Sequence, residues 1–252
     1  MSDDMTIADY LAEGGVLTSP ANVPPRYRAE LLKLMAIFVD SELAGAAGFA
    51  DKINDAPGIK ERIAAARIVL EKTDHAERVL KVMGEFGVDE DRYANSHPWT
   101  ARLERDAPAG SERGEHDMRL SVFNYPLESW ADAVTMNLLM GLAVGVQMRD
   151  FLKVSYGPLA EAFRQIAPVE QRHAELAREG LEKMVEEGRA VEIEASLYYW
   201  WPRVEASFGS GTPEKMERLR AWGLRRADGE SQRRAWEDQA RDVLGELGLK
   251  AP

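Results

Sequence analysis

Residues 168–175 read Pro-Val-Glu-Gln-Arg-His-Ala-Glu, and this stretch decides how the rest of the chain is interpreted. Glu170 and His173 are three residues apart, which places a carboxylate and an imidazole on one face of a helix. A Glu-x-x-His pair is one quarter of the ligand set with which ferritin-like four-helix bundles hold two metal ions. A single pair is weak evidence, because Glu and His occur at this spacing on many solvated helices. The interpretation therefore depends on whether other helices carry the remaining ligands.

The composition is that of a globular chain without cysteine chemistry. Of its 252 residues, 45% are hydrophobic and 30% are charged, which suits one large helical domain. The absence of Cys excludes disulfides, thiolate metal sites and a Cys nucleophile. A net charge of −11 argues against a nucleic-acid-binding surface. With no long apolar run and no signal-like N-terminus, the sequence predicts no membrane span and a cytoplasmic location.

Apolar residues recur at three- and four-residue spacings, and this pattern predicts an all-α chain built on four long helices. An N-terminal arm is predicted for residues 1–25, because Pro24-Pro25 stops any preceding helix, and a helical domain for 26–252. The first predicted long helix begins at Arg26, and the second runs from Ile59 to Phe86. The third includes Trp130 to Val146, and the fourth ends near Glu187. Two C-terminal helices are predicted near 213–227 and 230–247. Residues 88–118 are polar and predicted to be irregular, and the Trp-rich segment 198–202 is expected to pack at one end of the bundle.

Each long helix carries a candidate position for a metal site: Glu42, Lys72 with His75, Asp132, and Glu170 with His173. Glu42 and His75 are 33 residues apart, and Asp132 and His173 are 41 apart. Both spacings fit helical hairpins whose two members face each other at one depth, so we expect the candidates to converge. Taken singly, Glu42 has a simpler explanation as a charge at a helix edge. Asp132 likewise fits a helix N-terminus, where the helix dipole favours a negative charge.

Six short motifs occur in the order found in the family of the ring-1,2-phenylacetyl-CoA epoxidase catalytic subunit, and the chain resembles that phenylacetate-catabolism family over roughly residues 26–210. They are Ser41-Glu42-x-x-Gly45, Phe123-Asn124-Tyr125-Pro126, Trp130-Ala131-Asp132, Ser155-Tyr156-Gly157-Pro158, Glu170-x-x-His173 and Trp200-Trp201-Pro202. The resemblance implies a ferritin-like bundle with additional C-terminal helices. It also implies a di-iron monooxygenase that uses O₂ to oxidise an aromatic or acyl-CoA substrate. Implied partners are a homologous, catalytically silent helical subunit or a second copy of the chain, and a reductase. The implied metal ligands are Glu42, His75, Asp132, Glu170 and His173.

Lys72 departs from the family pattern, which has an iron-bridging glutamate at this position. An ammonium repels metal cations and offers no lone pair while it is protonated. Glu71 could take over as the bridging ligand, although it points about 100° away on an ideal helix. Alternatively, one metal could bind with Lys72 as a neutral ligand or charge partner, so that Lys72 belongs to the catalytic site of an oxygenase.

A third interpretation of Lys72 requires no metal at all. The ammonium would replace a cation and pair with one or more of the carboxylates Glu42, Asp132 and Glu170. The chain would then be a metal-deficient, non-catalytic helical subunit or scaffold of such a complex. We expect Lys72 to form a salt bridge with at least one of these carboxylates.

Overall fold

A computed structural model describes residues 6–114, 117–209 and 211–252. Within these ranges the chain forms nine α-helices and no β-strand, and one isolated bridge joins Leu17 to Tyr156. The helices are α1 (Ile7–Ala12), α2 (Pro25–Lys52), α3 (Ile59–Gly84), α4 (Glu90–Ala94), α5 (Trp130–Phe151), α6 (Gly157–Glu186), α7 (Ala190–Glu205), α8 (Pro213–Ala221) and α9 (Gly229–Glu246). The all-α prediction is confirmed.

Two antiparallel hairpins, α2 with α3 and α5 with α6, form the ferritin-like bundle, and α3 packs against α6. Pro25 is the first residue of α2, where its missing N–H costs no helical hydrogen bond. Ser129 caps α5 by accepting a hydrogen bond from the backbone N–H of Asp132. The four long helices predicted from periodicity are therefore present, together with both predicted C-terminal helices.

Helix α5 lies at the centre of the fold. Among the described residues it alone is long and apolar enough to cross a membrane, but 83% of its most apolar window is buried inside the protein. Helices α7 and α9 cover the side of α5 that the bundle leaves open. Trp236 of α9 is fully buried and donates a hydrogen bond from Nε1 to the carbonyl of Leu139 at 2.9 Å. Core packing thus accounts for the apolar surface of α5.

Two segments differ in detail from the sequence-based expectations. The Trp-rich segment belongs to α7, a helix that was not predicted, and Pro202 lies in its last turn. The irregular segment 88–118 contains α4. In the predicted arm, residues 1–5 lie outside the described part of the chain, whereas Ile7 and Leu17 are buried against the bundle. The domain boundary at residues 25 and 26 stays a prediction.

Helices α5 and α6 approach closely at Gly141, and this contact can be tested. A Cβ atom at Gly141 would lie 2.8 Å from Ala174 Cβ and 3.1 Å from Ala174 Cα. We expect Gly141→Ala to lower the free energy of unfolding by about 1–3 kcal/mol, because backbone must move to admit the methyl group. Gly145→Ala is the matched control on α5, since a Cβ there meets nothing within 4 Å. It should stabilise the protein by about 0.5–1 kcal/mol in urea denaturation. Equal stability of the Gly141→Ala variant and the parent would contradict the close approach.

Candidate functional site

Four charged or titratable side chains meet inside the bundle: Glu42, Lys72, His75 and Glu170. Lys72 Nζ lies 3.2 Å from Glu42 Oε1 and 3.3 Å from Glu170 Oε1. His75 Nδ1 lies 2.9 Å from Glu170 Oε1 and 3.3 Å from Glu42 Oε2. None of the four residues is more than 5% exposed. The expected salt bridge of Lys72 is therefore present and involves two carboxylates.

The register of the α2–α3 hairpin brings these residues to one level. Gly45 lies opposite Lys72, because a Cβ at Gly45 would be 3.5 Å from Lys72 Cδ. Glu42 precedes Gly45 by about one turn, and His75 follows Lys72 by about one turn. In an antiparallel pair these steps run in the same direction, so Glu42 and His75 face each other. The proximity expected from their 33-residue spacing is therefore present.

The charges within the cluster balance. Burial by itself lowers the pKa of Lys72, but the attraction of Glu170 and Glu42 outweighs it and raises that pKa well above its usual value. Burial also opposes a charge on His75, but hydrogen bonds with Glu170 and Glu42 raise its pKa to about 9. Despite burial, Lys72 holds the pKa of Glu170 well below its usual value. Two cationic side chains thus neutralise two carboxylates.

His173 lies on the next turn of α6, at the edge of this cluster. It is fully buried, and its Nε2 is 2.7 Å from Glu71 Oε2. Its Nδ1 is 3.5 Å from Glu170 Oε1 but has no hydrogen-bond partner. Helix α3 is continuous through this region, so Glu71 reaches His173 from a regular helix. The offset of about 100° between consecutive residues directs Glu71 toward α6 while Lys72 faces the carboxylates.

Asp132 does not join the cluster at the predicted depth. Its carboxylate accepts hydrogen bonds from Arg105 Nη1 at 2.7 Å and from Ser196 Oγ at 2.8 Å. Although burial raises the pKa of Asp132, these hydrogen bonds hold it below its usual value. Asp132 is instead part of a partly buried ion pair with Arg105 at the N-terminal end of α5.

The α5–α6 register explains why Asp132 lies away from the position expected for it. A Cβ at Gly141 would meet Ala174, and a Cβ at Gly180 would lie 2.9 Å from Val134 Cγ1. Asp132 is therefore level with a point roughly nine residues beyond His173, or about 14 Å along the helix. The 41-residue spacing fits a hairpin in length, but the turn between α5 and α6 lies too close to His173 for the two residues to face each other.

Asn137 contacts the backbone of α6 at His173, and sequence reasoning missed it. Its Nδ2 donates a hydrogen bond to the carbonyl of His173 at 3.3 Å. Only the position of the hairpin turn could have pointed to this residue. Asn137 also lines a cavity of about 290 Å³ whose wall includes Glu42, Lys72 and Glu170. The charged cluster thus lies at the wall of a chamber large enough for a small ligand.

The cavity is otherwise apolar over much of its wall and extends to exposed Lys33 on α2. Its apolar wall includes Phe38, Phe123, Met136, Met140 and Phe151. A mostly apolar wall with a few convergent polar groups is typical of small-molecule sites.

The turn of α2 that carries Glu42 also fixes the segment that covers this cavity. Asp40 is fully buried, and its Oδ2 accepts a hydrogen bond from the backbone N–H of Met118 at 2.9 Å. Burial raises the pKa of Asp40. Ser41 Oγ accepts a hydrogen bond from the backbone N–H of Leu120 at 2.9 Å, and Leu120 lines the cavity. Three consecutive residues therefore position both the cluster and part of the chamber wall.

The donor set is compatible with one cation but not with two irons as the side chains stand. Ligand atoms of Glu42, His75 and Glu170 lie within 4.8 Å of one another. Carboxylate and imidazole donors suit iron and similar divalent ions. Lys72 contacts two of the same donors, Glu42 and Glu170. A single ion fits only if it displaces the ammonium from these oxygens.

Sequence comparisons with known proteins support the family resemblance. Residues 13–252 match the model of a family described as phenylacetic acid catabolic protein. The chain is also 23% identical over 239 residues to one of the subunits of 1,2-phenylacetyl-CoA epoxidase from Escherichia coli (strain K12). That alignment covers 91% of this chain and 71% of the relative.

Replacement of Lys72 tests the energetics of the cluster. We expect Lys72→Met to lower the free energy of unfolding by about 3–5 kcal/mol, because two buried carboxylates lose a shared cation. Urea denaturation at pH 7 with a chelator present measures this loss. Lys81→Met on the same helix is the control, since Lys81 is 60% exposed and pairs with Glu77 at the surface. Its removal should change stability by less than about 1 kcal/mol. Equal losses in the two variants would show that the cluster is not a tightly coupled buried pair.

The ion pair of Asp132 makes a second, pH-dependent prediction. Since the folded-state pKa of Asp132 is lowered from 3.8, its charge stabilises the fold above that pH, and the contribution is lost as the pH falls through the folded-state pKa. We expect Asp132→Asn to cost about 2 kcal/mol at pH 7, reflecting the loss of charged hydrogen bonds. The difference in free energy of unfolding between this variant and the parent should become smaller below about pH 4. A difference that stays constant down to acid pH would contradict this account.

Proposed function

Because the chain belongs to the phenylacetic acid catabolic protein family, we propose that it is a helical component of a phenylacetyl-CoA-epoxidase-type oxygenase system in which Lys72 replaces a metal cation. One observation carries this proposal: Lys72 Nζ lies 3.2 Å from Glu42 and 3.3 Å from Glu170. Two buried carboxylates require a neutralising cation, and the ammonium of Lys72 takes this role in place of a metal ion. The proposed component is metal-deficient and contributes ligand binding and assembly.

The cavity supports a role in binding an aromatic acyl thioester, the substrate class in the name of the E. coli relative. Its apolar wall suits an aromatic ring, while Lys72 and Asn137 provide polar contacts. An ammonium has three N–H donors, and two of them serve Glu42 and Glu170. The third is available for the carbonyl oxygen of a bound thioester. Lys72 therefore has a binding role in this proposal as well as an electrostatic one.

The relative is one chain of a multi-subunit enzyme, and this supports a multi-chain assembly for the present protein. We place it in the cytoplasm, in a complex with a homologous helical subunit or with another copy of itself. In the metal-deficient form the chain needs no reductase of its own, because it transfers no electrons.

A second candidate is an oxygenase component with one bound ion. It is favoured by the three donors Glu42, His75 and Glu170, which lie within 4.8 Å beside a ligand cavity. Iron held there would supply O₂ activation, with electrons from a reductase. Lys72 would have to leave the carboxylates for this form to exist.

Metal content per chain separates the two candidates. Protein produced with added iron should contain well below one iron per chain if Lys72 is the resident cation. Lys72→Glu removes the ammonium and adds a carboxylate, so this variant should bind iron or manganese and melt at a higher temperature with metal than without it. In chelator it should be less stable than the parent, since three buried carboxylates then repel one another.

Lys33→Glu is the charge-matched control for that experiment, because Lys33 is exposed at the far end of the cavity. It should leave metal content unchanged. One iron per chain in the parent would favour the oxygenase candidate, and two irons per chain would overturn the proposed role of Lys72.

A further inference from the structure

We propose that helix α8 (Pro213–Ala221) is a hinged flap at the rim of the chamber. Met216 and Leu219 of this helix form part of the chamber wall, and Glu30 of α2 pairs with α8 at the rim. A ligand that reaches Lys72 from this rim passes between α2 and α8. The inference rests on the proposed function for the identity of that ligand, whereas the flap itself is defined by the contacts of α8.

Helix α8 is held against the fold by few apolar contacts. Met216 and Leu219 are its buried residues, whereas Glu217 and Arg218 between them are exposed. Helix α9, which follows in the chain, is instead fixed in the core by the fully buried Trp236. An element with few buried apolar contacts opens at a small cost in free energy compared with global unfolding. Helix α8 can therefore leave its place while the bundle stays folded.

Both ends of α8 are capped, so the helix can move as a unit. Thr212 Oγ1 accepts a hydrogen bond from a backbone N–H of the first turn, and Pro213 occupies the first helical position. At the other end Gly223 has a φ of +62°, and the N–H of Leu224 donates to the carbonyl of Leu219 at 2.9 Å. This is a Schellman motif. A nine-residue helix needs such caps, because short helices are only marginally stable.

The C-terminal end of α8 is anchored and forms the hinge. The backbone N–H of Ser155 donates to the carbonyl of Gly223 at 3.0 Å, and Ser155 Oγ donates to the carbonyl of Trp222. Tyr27 Oη lies 2.8 Å from Ser155 Oγ and is fully buried, which holds this serine in place. Beyond the hinge, Asp150 Oδ2 accepts hydrogen bonds from two consecutive backbone N–H groups, both at 3.0 Å.

The N-terminal end of α8 is the end that moves. Gly209, with a φ of +65°, and Gly211 precede the helix, and both are exposed. Glycine accepts a wide range of backbone angles, so this connection can change shape at little cost. Pro213 and Glu214 in the first turn are also exposed. Helix α8 thus has a fixed end, a free end and a flexible connection, which are the parts of a hinged lid.

A weak latch holds the free part of α8 against α2. Glu30 Oε1 lies 3.5 Å from Arg218 Nη2, and Glu30 Oε2 lies 3.8 Å from Lys215 Nζ. The side chains of Lys215 and Arg218 are 37% and 45% exposed. Long, exposed ion pairs contribute little free energy and are screened by salt. The latch therefore favours the closed position without locking it.

Distances between two spin labels test the flap in the ligand-free protein. The chain contains no cysteine, so introduced cysteines alone carry the labels. Glu214→Cys labels the free end of α8, and Glu182→Cys provides a fixed, exposed reference on α6. We expect two distances in double electron–electron resonance, one for the closed and one for the open position. Ala221→Cys with the same reference is the matched control and should give a single distance, because it lies at the hinge.

Two results of this measurement would overturn the flap. A single distance from position 214, equal in width to the control, would show that α8 is fixed. A broad, continuous distribution from position 214 would show that α8 unfolds instead of swinging as a helix.

Removal of the latch tests what holds the closed position. Glu30→Gln should raise the ratio of open to closed protein by about two- to tenfold, since two exposed ion pairs are lost. Added salt should raise the ratio in the parent as well. Glu246→Gln is the control, because Glu246 forms a comparable surface ion pair with Arg178 on another helix, at 2.9 Å. Equal ratios in the parent and Glu30→Gln would contradict the latch.

Addition of phenylacetyl-CoA links the flap to the ligand. An acyl group in the chamber gains contacts with Met216 and Leu219 in the closed position, so saturating ligand should increase the closed population. Two distances without any binding of phenylacetyl-CoA would contradict the proposed function and support the flap. Binding with one unchanged distance would overturn the flap and leave the proposed function intact.

Discussion

The ammonium of Lys72 joins three helices through two buried ion pairs, to Glu42 on α2 and to Glu170 on α6. Buried ion pairs of this kind often contribute less net stability than well-packed apolar side chains would. Their requirement for a fixed position of each helix matters more here than their contribution to stability. A shift of one helix by a single turn moves a side chain by about 5.4 Å, which would leave a buried charge without its partner. Lys72 therefore specifies the depth at which the α2–α3 hairpin faces α6.

The turn of α2 that carries Glu42 also holds the segment that precedes α5. Asp40 and Ser41 hold the backbone of this segment, and the next residue, Glu42, faces Lys72. Three consecutive residues on a helix point in directions about 100° apart, so one turn can serve three neighbours. The covering segment and the charged cluster are consequently coupled through a rigid element. A change in the position of α2 at this level would alter the chamber wall and the ion pairs together.

Periodicity and spacing predicted the four bundle helices and the pairing of Glu42 with His75. Both depend on local patterns and on a short hairpin connection. The position of Asp132 could not be predicted, because its depth depends on where α5 turns into α6 and on the close contacts at Gly141 and Gly180. Its partner Arg105 comes from the irregular segment, and no sequence pattern connects the two.

Other features of the site also required three-dimensional information. Asn137 has no motif, and its place near His173 follows from the hairpin register alone. Glu71 was considered only as a substitute bridging ligand, because spacing does not give the position of α6 beside α3. Helix α7 was missed because aromatic residues and Pro202 dominate its C-terminal part, although the residues before them are ordinary helix formers.

The identity of residue 72 also bears on how members of this fold can diverge. Lysine and glutamate codons differ by a single base at the first position, so the two residues are one mutation apart. The absence of a side chain at Gly45 leaves the stem of residue 72 against α2, and the two carboxylates that contact Lys72 come from α2 and α6. One nucleotide can thus exchange an internal cation for an additional anionic donor while the scaffold persists. A change of residue 72 between these two residues, in either direction, therefore passes through no third amino acid.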